Sequence, residues 1–190
     1  EYVKNNVILS VNHLKQYFFF GVGPKRFKLK AVHDVSFQVH EKEVFGIVGE
    51  SGCGKTTTGR SIIRLYDITS GSIYYKGYRI AAGSRWNEKE IKYSKIRFRN
   101  LKKELGIKLK NGEITSESYQ NQLCEAKAHL EKVVKLQKLK IAHIKHDHRH
   151  PKKDLLKEIQ MIFQDPIDSL DPRMTVETII SEGLQIQGFH

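Results

Sequence analysis

Cysteine is nearly absent from this chain: only Cys53 and Cys124 occur. They stand 71 positions apart, which offers neither a metal-ligand spacing nor a disulfide framework. Both read as reduced thiols of a cytosolic compartment. Long apolar runs are missing too. The aromatic patch Tyr17-Phe18-Phe19-Phe20 is far shorter than the ~20 residues a spanning helix needs, so any membrane role passes through a partner. The lone Trp86 has no aromatic neighbour in sequence and reads as packing the base of a helix. No secretory leader is visible and the first residue is Glu1, which reads as a chain whose natural start lies upstream. Acidic excess is also lacking. The formal charge is +12, and Ser84–Asp154 alone carries 19 Lys and Arg against 9 Asp and Glu, so the rest is close to neutral. At 190 residues the chain is long enough for one core with an appendage.

What is present centres on Gly49-Glu50-Ser51-Gly52-Cys53-Gly54-Lys55-Thr56-Thr57, which fits the phosphate-binding spacing G-x-x-x-x-G-K-[ST]. Val44–Val48 before it is an apolar run that reads as a buried strand. Gly59–Tyr66 after it carries Ile62, Ile63 and Leu65, which suit the buried side of a helix. The glycines let successive N–H groups converge on one anion, and the helix start adds positive potential. In such a loop Lys55 reaches the β- and γ-phosphates of a nucleoside triphosphate and the Thr56 hydroxyl holds Mg²⁺. Exchanging Lys55 for Ala or Gly54 for Val is expected to remove nucleotide binding with the fold intact.

Around this loop, Val7–Leu14 and Ala31–Val39 alternate as strands, with a turn at Gly21–Pro24 and a basic connector at Lys25–Lys30. Thr69-Ser70-Gly71 turns into a strand at Ser72–Tyr75. The next core strand is expected at Ile159–Phe163. Between them the spacing predicts a helix over Asn87–Leu105, with Ile91, Phe98, Leu101 and Leu105 on one side, and a break at Lys110-Asn111-Gly112. Thr115 can cap a second helix, with Glu117 in its first turn and Tyr119, Leu123, Ala126, Leu130 and Val133 along it. Two such helices read as an antiparallel hairpin closed by Pro151, with Asp154 capping a last short turn. His143, His146, His148 and His150 at its end could ligate zinc, but no Cys or paired carboxylate accompanies them, which favours a solvated helix end.

Asp34-Val35-Ser36-Phe37, the loop 49–57, Gly71-Ser72-Ile73 and Ile159–Pro166, followed by Ser169-Leu170-Asp171-Pro172-Arg173-Met174, together resemble the ATP-binding subunits of ABC-type oligopeptide and dipeptide importers. The resemblance covers about Val7–Ala82 and Leu155–Gly188. It implies an α/β fold: an ABC-type P-loop NTPase domain with an antiparallel β subdomain and a RecA-like core, interrupted by the helical hairpin. The expected organisation is 1–83 with the phosphate loop, 84–154 as the inserted hairpin, and 155–190 as the Gln164 strand and the start of a helical subdomain.

By position, the resemblance implies that Tyr17 stacks on adenine, an alternative being one more core aromatic beside Phe18 and Phe19. Gly49, Glu50, Ser51, Gly52, Cys53, Gly54, Lys55, Thr56 and Thr57 would hold the phosphates of ATP. Gln164 would reach Mg²⁺ and the attacking water, and Lys55 and Gln164 would serve the catalysis. Implied partners are transmembrane permease subunits, a second ABC ATPase subunit and, indirectly, a peptide-binding protein, at the cytoplasmic face of the membrane. Lys42 departs from the family, which usually has glycine there. The family's Leu-Ser-Gly-Gly-Gln phrase, catalytic glutamate and switch histidine do not occur in these 190 residues, so this stretch is expected to bind ATP without turnover. The runner-up function is a nucleotide-gated ABC-type protein whose basic hairpin, residues 84–154, binds RNA or another polyanion; an anionic membrane surface is the other expected contact of that segment.

Overall fold

The structure is a computed structural model that describes residues 6–25, 27–164, 170–186 and 188. Its chain forms two compact units, Glu1–Ile159 and Gln160–His190.

In the first unit, β1 (Val7–Phe20) pairs antiparallel with β2 (Phe27–His40) through a tight 3-10 turn at Gly23–Lys25. The turn falls at the expected Gly-Pro stretch, but the basic residues Lys28 and Lys30, expected in a connector, belong to β2. Alternating, β-branched sequences favour such a ladder because every second side chain can be buried. The register slips between Val11 and Leu14, where His13 and Asp34 take left-handed φ of 51° and 65°. The His13 N–H there donates to Ser36 Oγ at 2.8 Å, and Nδ1 of His13 meets the Asp34 carboxylate at 2.8 Å. β3 (Ser70–Tyr75) joins the other edge of β1, and β4 (Tyr78–Ser84) pairs with β3. The sheet order is β2-β1-β3-β4. Lys76 and Gly77 make the β3–β4 turn with φ of 48° and 79°, the doubly left-handed form whose twist matches the flanking strands. Gly71 is required at φ 95°, because a Cβ there would run into the carbonyl oxygens of His13 and Asn12.

The core is a single cluster built around this sheet: Val11, Leu14 and Ile73 are fully buried, joined by Val32, Ile68, Ile80 and Ala81. Each large aliphatic chain buried this way contributes about 1.5–3 kcal/mol. The helix after the glycine loop, α1 (Lys55–Ile62), leans on the first two strands. It ends earlier than its apolar spacing implies. Thr58 and Ser61 are its buried residues, Ile62 only borders the core, and Leu65 is exposed beyond the left-handed Arg64.

The basic middle is the expected antiparallel pair, longer than its spacing predicts: α2 (Arg85–Lys110) and α3 (Ser116–Arg149). Thr115 caps α3, its Oγ1 accepting the Ser118 N–H at 3.2 Å. Between the helices Leu105 is buried, and the Asn87 amide donates to Gln137 Oε1 at 2.7 Å inside the interface. The end of α3 is seated on β4. Ile144 is buried, Arg79 Nε donates to Asp147 Oδ2 at 2.7 Å, and His148 Nε2 donates to the Ala82 carbonyl at 3.0 Å. Trp86, expected to pack the helix base, is half exposed. A short α4 (Lys153–Lys157) follows, with Asp154 in its first turn but Lys152 at its cap. The second unit contains α5 (Val176–Ile186), whose start is capped by Thr175 Oγ1 accepting from Thr178 N–H at 3.2 Å.

Two expected strands are not formed. Val44–Val48 has no ladder; Val44 is wholly exposed and Val48 is 92% exposed, with Phe45 held by stacking on Phe37 at 4.9 Å between centroids. Ile159–Phe163 is likewise irregular, and Ile162 is 98% exposed. Apolar runs of this kind suit strands covered on both faces and paired on both edges. Among the described residues the four-stranded antiparallel sheet is the only sheet, and neither run has a neighbour to pair with.

Candidate functional site: a glycine turn closed on a lysine

The loop 49–57 is shaped by local backbone needs. Gly52 and Gly54 take left-handed φ of 79° and 97°, and Gly54 is the cap of α1. A Cβ on Gly54 would collide with the Ala31 carbonyl oxygen of β2. The expectation that Gly54→Val spares the fold is therefore corrected: both the backbone angle and the packing on β2 demand glycine. A Cβ on Gly49 would come within 2.7 Å of Cys53 Sγ, so the turn is closed at both ends by small residues.

Lys55 stands at the hub. Its Nζ donates to the Gly49 carbonyl at 2.8 Å and the Glu50 carbonyl at 2.7 Å, with Cys53 Sγ at 3.6 Å. The loop thus wraps its own cation. The Thr58 hydroxyl donates to the Gly54 carbonyl at 3.0 Å and Ser61 Oγ to the Thr57 carbonyl at 2.7 Å, bonds that tie side chains into the first turns of α1. Ser51 and Thr56 are exposed on the loop and the first helical turn. The donor set fits a polyphosphate: a flexible ammonium, glycine backbone and a helix start in one turn.

Tyr17 lies one register step from the strand segment that backs this loop. It pairs with Lys30, next to Ala31, whose carbonyl faces Gly54. Its backbone N–H donates to Thr69 Oγ1 at 2.9 Å, and its hydroxyl shares a hydrogen bond with His33 Nδ1. The ring stacks on His33 at 5.7 Å, and Lys28 Nζ lies 4.6 Å from its centroid. Phe18 instead points to Tyr66, edge to face at 5.2 Å. Gln164 belongs to the second unit and is exposed. Asp165, Pro166 and Ser169, which carry part of the importer-like phrase, lie outside the described residues. Among the described residues no group of three or more His, Cys, Asp or Glu is placed to hold a metal. In the histidine run, His148 bonds to β4 and His146 stacks on His150 at 4.5 Å.

Sequence spacing missed an ion pair between the β3–β4 turn and the residue after α4. Lys76 pairs with Glu158, and the hydrogen bond from Lys76 holds the Glu158 carboxyl below its usual range. Nothing in the spacing of residues 76 and 158 signals that pair.

A glycine turn gripping a lysine at a helix start is the arrangement of a phosphate-binding loop. The ABC transporter family model matches residues 32–150, well over half the chain, and the chain belongs to that family. It is similar to the oligopeptide transport ATP-binding protein OppF of Bacillus subtilis (strain 168), 34% identical over 94% of this chain. The OppF protein of Haemophilus influenzae is 31% identical over 99% of the chain, and the dipeptide transport ATP-binding protein DppF of Lactococcus lactis subsp. cremoris is 37% identical over 84%. The chain spans 37%, 40% and 31% of those three relatives' lengths.

Proposed function

We propose that this chain is the phosphate-gripping part of the ATP-binding subunit of an oligopeptide or dipeptide ABC importer. The observation that carries the reading is the enclosure of Lys55 Nζ by the Gly49 and Glu50 carbonyls at the start of α1. The similarity to OppF and DppF supports the transported class.

On this reading Lys55 exchanges two neutral carbonyl acceptors for the β- and γ-phosphate oxygens of ATP. Charge makes those bonds shorter and stronger than the ones it leaves. The glycines at 52 and 54 keep the backbone close enough for its N–H groups to contribute, together with Glu50, Ser51, Cys53 and Thr57 of the same turn. Tyr17 offers its ring to adenine. Thr56 and Gln164 are the residues that would hold Mg²⁺, which supplies neutralisation of the charge on the transferring phosphate. Gln164 also orients the attacking water, its amide offering both a donor and an acceptor without charge. Permease subunits and a second ATPase subunit complete the working assembly at the cytoplasmic face. No helix among the described residues is long and apolar enough to cross a membrane.

The test is equilibrium binding of a fluorescent ATP analogue to the wild-type chain and to Lys55→Ala. Two charge-assisted bonds, each worth about 1.5–3 kcal/mol, predict a loss of affinity of roughly 100-fold or more. Equal affinity in the two proteins removes the loop from nucleotide binding and with it the proposed function.

A further inference from the structure

Where α3 is seated on β4, the first unit encloses a groove of about 550 Å³. Its walls come from three sources: Tyr17 and Phe19 of β1, Arg85 at the start of α2, and Lys145, His148 and Arg149 at the end of α3. Ile68 and Ile144 give it an apolar floor. No residue of the loop 49–57 lines it.

Two features mark this groove. Some surface cations are matched, Lys76 with Glu158, Arg79 with Asp147, Arg97 with Glu90 and Lys108 with Glu104, and those of the groove belong to the unmatched remainder. Among the described residues Arg85, Lys145 and Arg149 take part in no ion pair, and neither do Lys28, Lys30 and Lys89. Two carboxylates share the groove with these cations. Glu88 accepts the Ser84 hydroxyl at 2.8 Å, and Asp67 lies 3.9 Å from the His148 ring nitrogen. Desolvation holds the Lys28 ammonium below its ordinary value, and the positive charges of Lys30, Lys89 and Arg85 push the same way, so Arg85 belongs both to the groove and to the cations around Lys28.

The second feature is the alternation of charge with rings. The Arg85 guanidinium lies 4.1 Å from the Phe19 centroid, and Lys28 Nζ lies 4.6 Å from that of Tyr17. Aromatic faces beside unpaired cations are what a strand of unpaired bases needs, since bases stack and phosphates are neutralised in the same track. A planar lipid surface cannot enter a groove with its rings inside the walls, whereas a splayed base can. We infer that this groove, built by Tyr17, Phe19 and Arg85 together with Lys145 and Arg149 of the inserted hairpin, binds single-stranded nucleic acid. The groove shares Tyr17 with the proposed adenine contact but no residue with the loop 49–57.

The experiment is fluorescence anisotropy of the whole chain with a fluorescein-labelled single-stranded RNA of about 12 nucleotides, a length within the usual site sizes. It is run at salt from about 50 to about 200 mM. The triple variant R85Q/K145Q/R149Q should bind at least ten times more weakly, and its plot of log affinity against log salt should flatten by about 2, three lost contacts at ~0.7 each. The control K102Q/K103Q/K127Q removes the same charge from the outer hairpin and should change affinity less than twofold. Phe19→Leu should weaken binding about fivefold or more with the salt slope unchanged, since stacking carries no counterions. Lys55→Ala should bind RNA as the wild type does, which separates this site from the nucleotide loop. Should the triple variant fail to fold by circular dichroism, Arg149→Gln in the exposed last turn of α3 still tests the site through a threefold loss. No RNA binding by the wild type at about 50 mM salt overturns the inference. So does an equal loss in the outer-hairpin control, which marks diffuse attraction. Loss of binding to phosphatidylglycerol vesicles in the triple variant, with RNA binding unchanged, overturns it in favour of lipid.

Discussion

Lys42 stands in the turn between β2 and the unpaired apolar run with a φ of 63°, a backbone conformation that favours glycine. The left-handed backbone costs a residue with a Cβ about 1–2 kcal/mol, and nothing but geometry holds Lys42 in it. The turn itself is well bonded: Glu41 N–H donates to the Asn6 carbonyl at 2.8 Å and Glu43 N–H to the His40 carbonyl at 3.2 Å. Replacing Lys42 with Gly relieves the strain and also frees the unfolded chain, so part of the gain is lost. The expected net stabilisation is about 0.5–1 kcal/mol, a rise of roughly 1–4 °C in the thermal midpoint for a chain of this size. A scan by circular dichroism checks it, and a lower midpoint would show that the lysine side chain is held by contacts outweighing its backbone strain.

At the scale of elements, the inserted hairpin divides into a seat and a stalk. The seat is Ile144, Asp147 and His148 on β4, with the buried Asn87–Gln137 bond just beyond. In the stalk the two helices pack on each other through side chains such as Leu105, Phe98 and Leu130. Excising Ser84–Asp154 exposes the β4 face and strips Arg79 of its carboxylate. Losing one buried Ile and one such pair costs about 3 kcal/mol or more, a midpoint lower by roughly 10 °C. Replacing only Gly106–Ser118 by a four-residue Gly/Asn turn leaves the buried Leu105 in place and should shift the midpoint by less than about 3 °C. Thermal unfolding of the two shortened chains separates the outcomes; equal losses would mean that the stalk, too, supports the sheet.

Across the whole molecule, every described residue of the hydrophobic core lies in the unit Glu1–Ile159, and α5 of the second unit has no buried residue among the described ones. Val176, Ile180, Leu184 and Ile186 are all more than half exposed along that helix. Stability should therefore reside in the first unit. A chain ending at Ile159 is expected to keep its cooperative thermal transition within about 2–4 °C of the parent, the shift that 1 kcal/mol produces at this size. It should also keep Lys55-dependent binding of the ATP analogue. Loss of the transition would place core-forming contacts in 160–190.

Local chemistry was enough for the parts of this protein that depend on neighbours in sequence. The glycine spacing of 49–57 forms the turn around Lys55, because left-handed glycines and a lysine at the helix start need only each other. The caps and breaks at Thr115 and Lys110–Gly112 set the hairpin, because helix ends are satisfied by residues a few positions away. What the tertiary structure alone decided is which apolar segments find a partner. Val44–Val48 and Ile159–Phe163 have the composition of buried strands, yet a strand exists only when another offers its N–H and C=O groups, and none does so here. The same holds for Lys76 with Glu158 and Arg79 with Asp147, and for the cations at the hairpin foot. Their charges were legible one by one, but pairing is a property of distance in space, and only the seating of α3 on β4 decided which of them would remain unpaired.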